Sequence, residues 1–232
     1  MTQTQSKHIA ILGGTGALGS GLALRWAKAG HQVTVGSRDG ARAAEVAADL
    51  NNTLNQQLNQ TVAHPITGMS NEAAAASGEL AVITVPYASH AATIESVQAH
   101  LEGKILVDVT VPLRPPKVRT VQLPEGGSVA KALQVTLGDS VKVVSAFQNV
   151  AAAHLADLEH DIDCDVLVCG NDQDARAQVV ALANDASMKA WHGGRIDNSA
   201  VAEALTSLLI FINGSYKIDG AGIRITGIPA GT

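Results

Sequence analysis

The sequence predicts an α/β fold, a doubly wound parallel sheet with a smaller α/β carboxyl-terminal domain, and three observations carry that prediction. Apolar runs of strand length recur at His8–Leu12, Leu80–Val85, Ile105–Val109 and Lys142–Ala146. The central ones are continuous enough to be buried on both faces of a parallel sheet. Helical stretches stand between the runs, the alternation expected of crossover-connected strands. A glycine turn joins the first strand to the first helix.

From His8 to Arg38 the chain reads HIAILGGTGALGSGLALRWAKAGHQVTVGSR: a strand, the glycine turn, a helix and a second strand. Gly14, Gly16 and Gly19 fit G-x-G-x-x-G, the spacing that aims backbone N–H groups and a helix N-terminus at a pyrophosphate in a Rossmann-type dinucleotide site. On this reading Gly14 and Gly16 remove Cβ atoms at the phosphate, and Gly19 lets helix meet strand. About twenty residues on, an NAD enzyme offers Asp or Glu to the ribose 2′-hydroxyl. Here Ser37 and Arg38 stand at the strand end. A carboxylate repels a 2′-phosphate and an arginine holds it, so the expected cofactor is NADP.

Asp39 to Leu50 is alanine-rich and helical, and the polar run NNTLNQQLNQTVA prolongs or follows it. Ile66 begins a short strand, Asn71 caps EAAAA, and Pro86 ends the strand LAVITV. The segment VPLRPPKVRTVQLPEGG carries too many prolines for a central strand or a helix interior and reads as a long loop. Val129 to Leu137 returns to helix, and Lys142 to Ala146 closes a nucleotide-binding domain over residues 1–147. Residues 148–232 form the smaller domain: a strand ending at Cys169, a helix over Gln173 to Asn184, a short strand near Met188 to Trp191, and a long helix from Ser199 to Tyr216. That last helix is apolar on most faces, at Leu205, Leu208, Leu209, Phe211 and Ile212. It must pack against the sheet or a second copy, and a homodimer is expected.

A chain of 232 residues, 46% hydrophobic and 16% charged, can bury a sizeable core. Its net charge of −5 gives no electrostatic footprint for nucleic acid. The apolar stretch Leu208 to Ile212 is far short of a membrane span, and the start MTQTQSKHIAILGG has no secretory pattern, so a cytoplasmic protein with no membrane partner is expected. Cys164 and Cys169 bracket a strand and read as small buried thiols. His154, His160 and the carboxylates of HLADLEHDIDCD match no metal spacing and read as a solvated acidic loop, so no metal is expected.

Ligands of an open parallel sheet lie beyond the carboxyl ends of its strands, so the loops after Leu12, Ser37, Val85, Val109 and Ala146 should build the site. The sequence holds no Tyr-x-x-x-Lys pair, Ser-His-Asp arrangement or metal-water site. Hydride transfer between two planar cofactors needs none, only their juxtaposition. The segments GGTGALG with GLALRWA, VGSR, TGMSNEAAA, VVSAFQNV, DVLVCGND, NSAVAEALTSLLI and AGIRITG resemble, in the same order, those of the F420-dependent NADP oxidoreductases. The resemblance covers nearly the whole chain. It implies reversible hydride transfer between NADPH and the deazaflavin of coenzyme F420, with no catalytic side chain. NADP would run along Thr15, Gly16, Ala17 and Leu18, with its 2′-phosphate on Ser37, Arg38 and Arg42 and its nicotinamide end against Val85, Val111 and Ala152. The deazaflavin would lie near Gln148, Val150, Ala204, Thr206 and Ala221. The family commonly has His where Gln148 stands and Ser where Ala204 stands. Two alternatives stay open: an NADPH-dependent reductase with another acceptor (a flavin, quinone, metal chelate or imine), and a non-catalytic NADPH sensor.

Overall fold

The structure is a computed structural model, and it describes residues 6–227. Strands β1 (His8–Leu12), β2 (Gln32–Ser37), β3 (Thr67–Ser70), β4 (Leu80–Ile83), β5 (Ile105–Asp108), β6 (Lys142–Ser145), β7 (Val166–Gly170) and β8 (Ala190–Gly194) form one eight-stranded sheet in the order β3-β2-β1-β4-β5-β6-β7-β8. All neighbours are parallel except β6 and β7. Helices α1 (Ala17–Lys28), α2 (Gly40–Leu58), α3 (Asn71–Ser77), α4 (Tyr87–Val97), α5 (Val129–Leu137), α6 (Ala152–Leu155), α7 (Gln173–Asp185) and α8 (Ser199–Tyr216) complete the fold. Two buried clusters, one on each face of the sheet, use alternate residues of the same strands: Ile9, Ile11 and Val82 on one side, Ala10, Leu12 and Ile83 on the other. The α/β doubly wound architecture is the one the apolar runs predicted.

The chain builds outward from β1 to β2 and β3, then crosses back to place β4 on the other side of β1. That reversal opens a crevice between the loops after β1 and β4, where such sheets take their ligands.

Four local features differ from expectation. Helix α4 was not anticipated, because its buried face is half polar: His90, Thr93, Ile94 and Val97 are buried at helical spacing, and only two of them are apolar. The cap of α3 is Ser70, whose Oγ accepts from Ala73 N at 3.2 Å, while Asn71 is the first helical residue. Strand β8 lies over Ala190–Gly194, a few residues later than the Met188–Trp191 reading. Helix α8 is not buried on most faces: Val201 is 63% exposed and Leu208 and Phe211 are each 49% exposed.

What fixes α8 is a buried carboxylate. Glu203, 1% exposed, accepts from Val129 N at 2.8 Å, Ala130 N at 3.1 Å and Ser128 Oγ at 2.8 Å, and so closes the N-terminus of α5. Burial pushes the Glu203 carboxyl above its ordinary value of 4.5, against the pull of those three hydrogen bonds. Glu203→Gln is expected to cost about 1 to 3 kcal/mol, because the amide turns an N–H toward a buried donor and leaves it unpaired. With the folded pKa raised, this group's contribution to stability is complete below pH 4.5 and is lost as pH rises through the folded value. Denaturation of wild type and variant across pH checks both points. The gap between the two should narrow upward from about pH 4.5, and a gap that widens reverses the assignment.

Candidate functional site

The crevice at the strand reversal is a cleft of ≈ 840 Å³. Its walls include Thr15, Gly16, Ala17 and Leu18 from the glycine turn, Ser37, Arg38 and Arg42 after β2, and Val85 and Val111 after β4 and β5. The residues singled out for NADP thus converge on one cavity, with Ala152 excepted. Ala152 is the first residue of α6 and lies outside the cleft lining.

The glycines divide the work differently from the motif reading. Only Gly16 of the motif lines the cleft, and a Cβ built there meets nothing nearer than Gly13 O at 3.9 Å, so a side chain would project into ligand space. A Cβ on Gly14 would sit 2.7 Å from Ile11 O, and one on Gly19 would sit 2.6 Å from Gly14 Cα, so these two serve the packing of turn, strand and helix. The left-handed turn itself belongs to Gly13, at φ +71°, where a Cβ would collide with Val85 Cγ1 at 2.2 Å. Asn71 holds this turn through Oδ1, which accepts from Gly13 N at 3.0 Å.

The arrangement fits a dinucleotide with a 2′-phosphate. Helix α1 follows Gly16, an N-cap residue with no side chain to spend, and has no acid in its first turn, so its leading N–H groups face the cleft unspent. Arg38 and Arg42 are exposed at the cleft end and form no ion pair among the described residues. Asp39 also lines the cleft, yet its Oδ1 is occupied in capping α2, accepting from Ala41 N at 2.9 Å and Arg42 N at 3.3 Å. The carboxylate nearest the phosphate position is therefore turned to the helix and leaves the two guanidiniums to set the sign of the pocket.

At the other end, Thr84, Tyr87, Val109, Thr110 and Leu113 join Val85 and Val111. Thr110 Oγ1 is buried without a hydrogen-bond partner, an unspent polar atom in an apolar wall, suited to the carboxamide of a nicotinamide. Its backbone is fixed from below. Asp108, fully buried, accepts from Thr110 N at 2.9 Å through Oδ1 and pairs with His90 Nε2 at 3.0 Å through Oδ2. Nothing along the chain signals His90 and Asp108, since the two meet across separate elements.

The residues read as the deazaflavin side are less gathered. Thr206 Oγ1 donates to Gln148 O at 2.7 Å, which joins α8 to the turn after β6. Val150, Ala152 and Ala204 are half-buried outside the dinucleotide cleft. Ala221 lines a separate hollow of ≈ 400 Å³ with His154 and His160, whose rings lie 4.4 Å apart between centroids and are tilted by 40°. Gln148 itself points inward: its Nε2 donates to Asp108 O at 2.8 Å and Ser145 Oγ at 2.9 Å. Both amide protons are spent within the protein, so this side chain has no donor left to offer a deazaflavin. Only Oε1, buried and unpartnered, remains open. The cause is Phe147, left-handed at φ 70° and packed edge-on against Trp26 at 5.9 Å, which turns the next residue into the core.

The acidic loop also proved to be structural. Its carboxylates Asp157, Glu159, Asp161 and Asp163 are exposed as predicted, whereas Asp165 is buried and accepts from Trp191 Nε1 and Ile225 N, each at 2.7 Å, and carbonyls of the loop converge on buried Arg25. Arg25 donates to Leu155 O, Ala186 O, Asp157 O and His160 O at 3.0, 3.2, 2.8 and 2.9 Å. The hint in the sequence is an arginine set between Leu24 and Trp26, inside the otherwise apolar run from Gly21 to Ala27.

Residues 8–112 match the family model described as NADP oxidoreductase, coenzyme F420-dependent. The F420-dependent NADP reductase of Methanocaldococcus jannaschii is 43% identical over 224 residues, covering 95% of this chain and 98% of that protein. That of Methanothermobacter marburgensis is 36% identical over 226 residues, covering 95% and 99%. A crystal structure of a protein from Arthrobacter sp. FB24 superposes with a TM-score of 0.75 at 27% identity, over 96% of this chain and 100% of that one. An imine reductase from Bacillus cereus shares the fold at 15% identity with a TM-score of 0.59. A match of this length to its relatives, on a cleft of this charge and shape, establishes that the chain belongs to the F420-dependent NADP reductases.

Proposed function

We propose that this protein transfers a hydride between NADPH and coenzyme F420, with NADPH lying along the cleft between the loops after β1, β2, β4 and β5. The observation that carries this reading is the joining of an uncapped helix start, two unpaired arginines and an apolar far wall in one cavity. The N–H groups at the start of α1 hold the pyrophosphate, and Ser37, Arg38 and Arg42 hold the 2′-phosphate. Val85 and Val111 flank the nicotinamide and keep water from it, while Thr110 orients the carboxamide. When bound, the two cofactors supply all the redox chemistry, a hydride passing between nicotinamide and deazaflavin rings. Residues 148–232 act as the second unit, with Val150, Ala204, Thr206 and Ala221 on the deazaflavin side and Gln148 bracing Thr206 from the core through its backbone oxygen. The chain need only hold the rings at near-attack distance, roughly 3 to 3.5 Å.

The test is a spectrophotometric assay in both directions with NADPH and F420. F420 reduction coupled one-to-one to NADPH oxidation is the expected result. NADPH oxidation with F420 untouched, given a flavin or imine instead, assigns a different acceptor.

The reading includes a cytoplasmic location and a homodimer. No helix among the described residues is long and apolar enough to cross a membrane. The exposed residues Val201, Leu208 and Phe211 lie on α8, and a second copy covering them would remove a continuous apolar surface from water. Sedimentation at micromolar concentration is expected to give a dimer for wild type and a monomer for Leu208→Glu/Phe211→Glu. A monomeric wild type removes the inference.

A further inference from the structure

The loop that follows β5 carries a charge pattern that the dinucleotide does not use. Between Leu113 and Gly127 stand three cations, Arg114, Lys117 and Arg119, against one acid, Glu125, in a chain whose net charge is −5. All three cations are exposed, and none forms an ion pair or side-chain hydrogen bond among the described residues. The loop is nevertheless braced. Lys117 N donates to Arg114 O and Thr120 N donates to Lys117 O, each at 3.1 Å, and the Gln122 amide donates to Lys117 O at 3.0 Å. Its first and third cations touch different walls of the molecule. The Arg114 guanidinium stands 5.8 Å over the ring of Tyr87, which lines the dinucleotide cleft, and Arg119 packs on Gly214 of α8, the helix that carries Thr206.

The phosphates of NADPH belong at the opposite end, on α1 and on Arg38 and Arg42. Cations beside the ring end therefore face the second substrate. F420 differs from a bare deazaflavin in its long tail, a phosphodiester followed by glutamyl carboxylates. We propose that Arg114, Lys117 and Arg119 form a subsite for this anionic tail, which fixes the deazaflavin's approach from the loop side. The proposal rests on the F420 reading of the protein.

The test compares F420 with its tail-free deazaflavin fragment. Each is titrated into the protein by deazaflavin fluorescence, and KM is measured for each with NADPH. Every cation removed should weaken F420 about 1.5- to 5-fold, and Arg114→Gln/Lys117→Gln/Arg119→Gln should weaken it roughly tenfold or more. Fragment binding should not change. Added salt should weaken F420 on the wild type and spare the fragment. The charge-keeping variant Arg114→Lys/Lys117→Arg/Arg119→Lys should stay near wild type. Equal weakening of both ligands, or of neither, overturns the subsite and leaves the F420 reading intact. A wild type that binds neither deazaflavin overturns that reading and the subsite with it.

Discussion

Arg38→Ala is expected to weaken NADPH binding ten- to a hundred-fold while leaving NADH nearly unaffected. A charge-assisted hydrogen bond to phosphate contributes about 1.5 to 3 kcal/mol, and exposure of the arginine to solvent holds the effect within that range. Arg42, on the first turn of α2, retains part of the attraction. Arg38→Ala/Arg42→Ala should therefore approach equal affinity for the two nucleotides. The orientation of Asp39 sharpens the expectation. Its carboxylate caps α2 through Oδ1, which turns it toward the helix and away from the position where an NAD enzyme's acid takes the ribose 2′-hydroxyl. Titration of both nucleotides into wild type and variants decides this, and equal wild-type affinities end the NADP assignment.

Arg25→Met should destabilise the protein by about 3 to 5 kcal/mol. The substitution keeps the apolar stem but strands five buried or half-buried carbonyls, at His154, Leu155, Asp157, His160 and Ala186, that one guanidinium now satisfies. Burial pulls the Arg25 pKa down from its usual value, and Asp157 and Asp161 pull it back up. Arg25→Lys should recover less than half of the loss, because a single ammonium cannot span five acceptors arranged around a planar fork. Chemical denaturation measures both variants. The loss should also reach function, since α6 and the segment after it are held to α1 through this residue. A variant within about 1 kcal/mol of wild type would mean that the carbonyls find other donors.

Much of this could be read along the chain. The start and end of α5 fall at Val129 and Leu137 as the sequence indicated, and β1 spans His8–Leu12 as read. The glycine turn and the Ser37-Arg38 ending emerge together in one cleft. Each of these rests on a pattern contained in a few neighbouring residues: an apolar run, a missing Cβ, a charge at a strand end. Helix α4 escaped because its core-facing side buries His90 and Thr93, and polarity at those positions erased the periodicity that marks a helix.

The sequence by itself determined the sheet's strands, the dinucleotide turn and the charge preference of its far end. Only the tertiary structure decided that β7 runs against β6, that Asn71 grips the Gly13 turn instead of capping its own helix, and that Gln148 spends its amide inside the protein. It alone showed Arg25 at work, bonded to Leu155 across 130 positions of chain. The division has one physical cause. Burial period and turn geometry are local properties of the backbone, whereas the partner of a polar side chain is chosen by whichever unpaired donor or acceptor packing brings within about 3 Å, and that neighbour is set by the whole fold.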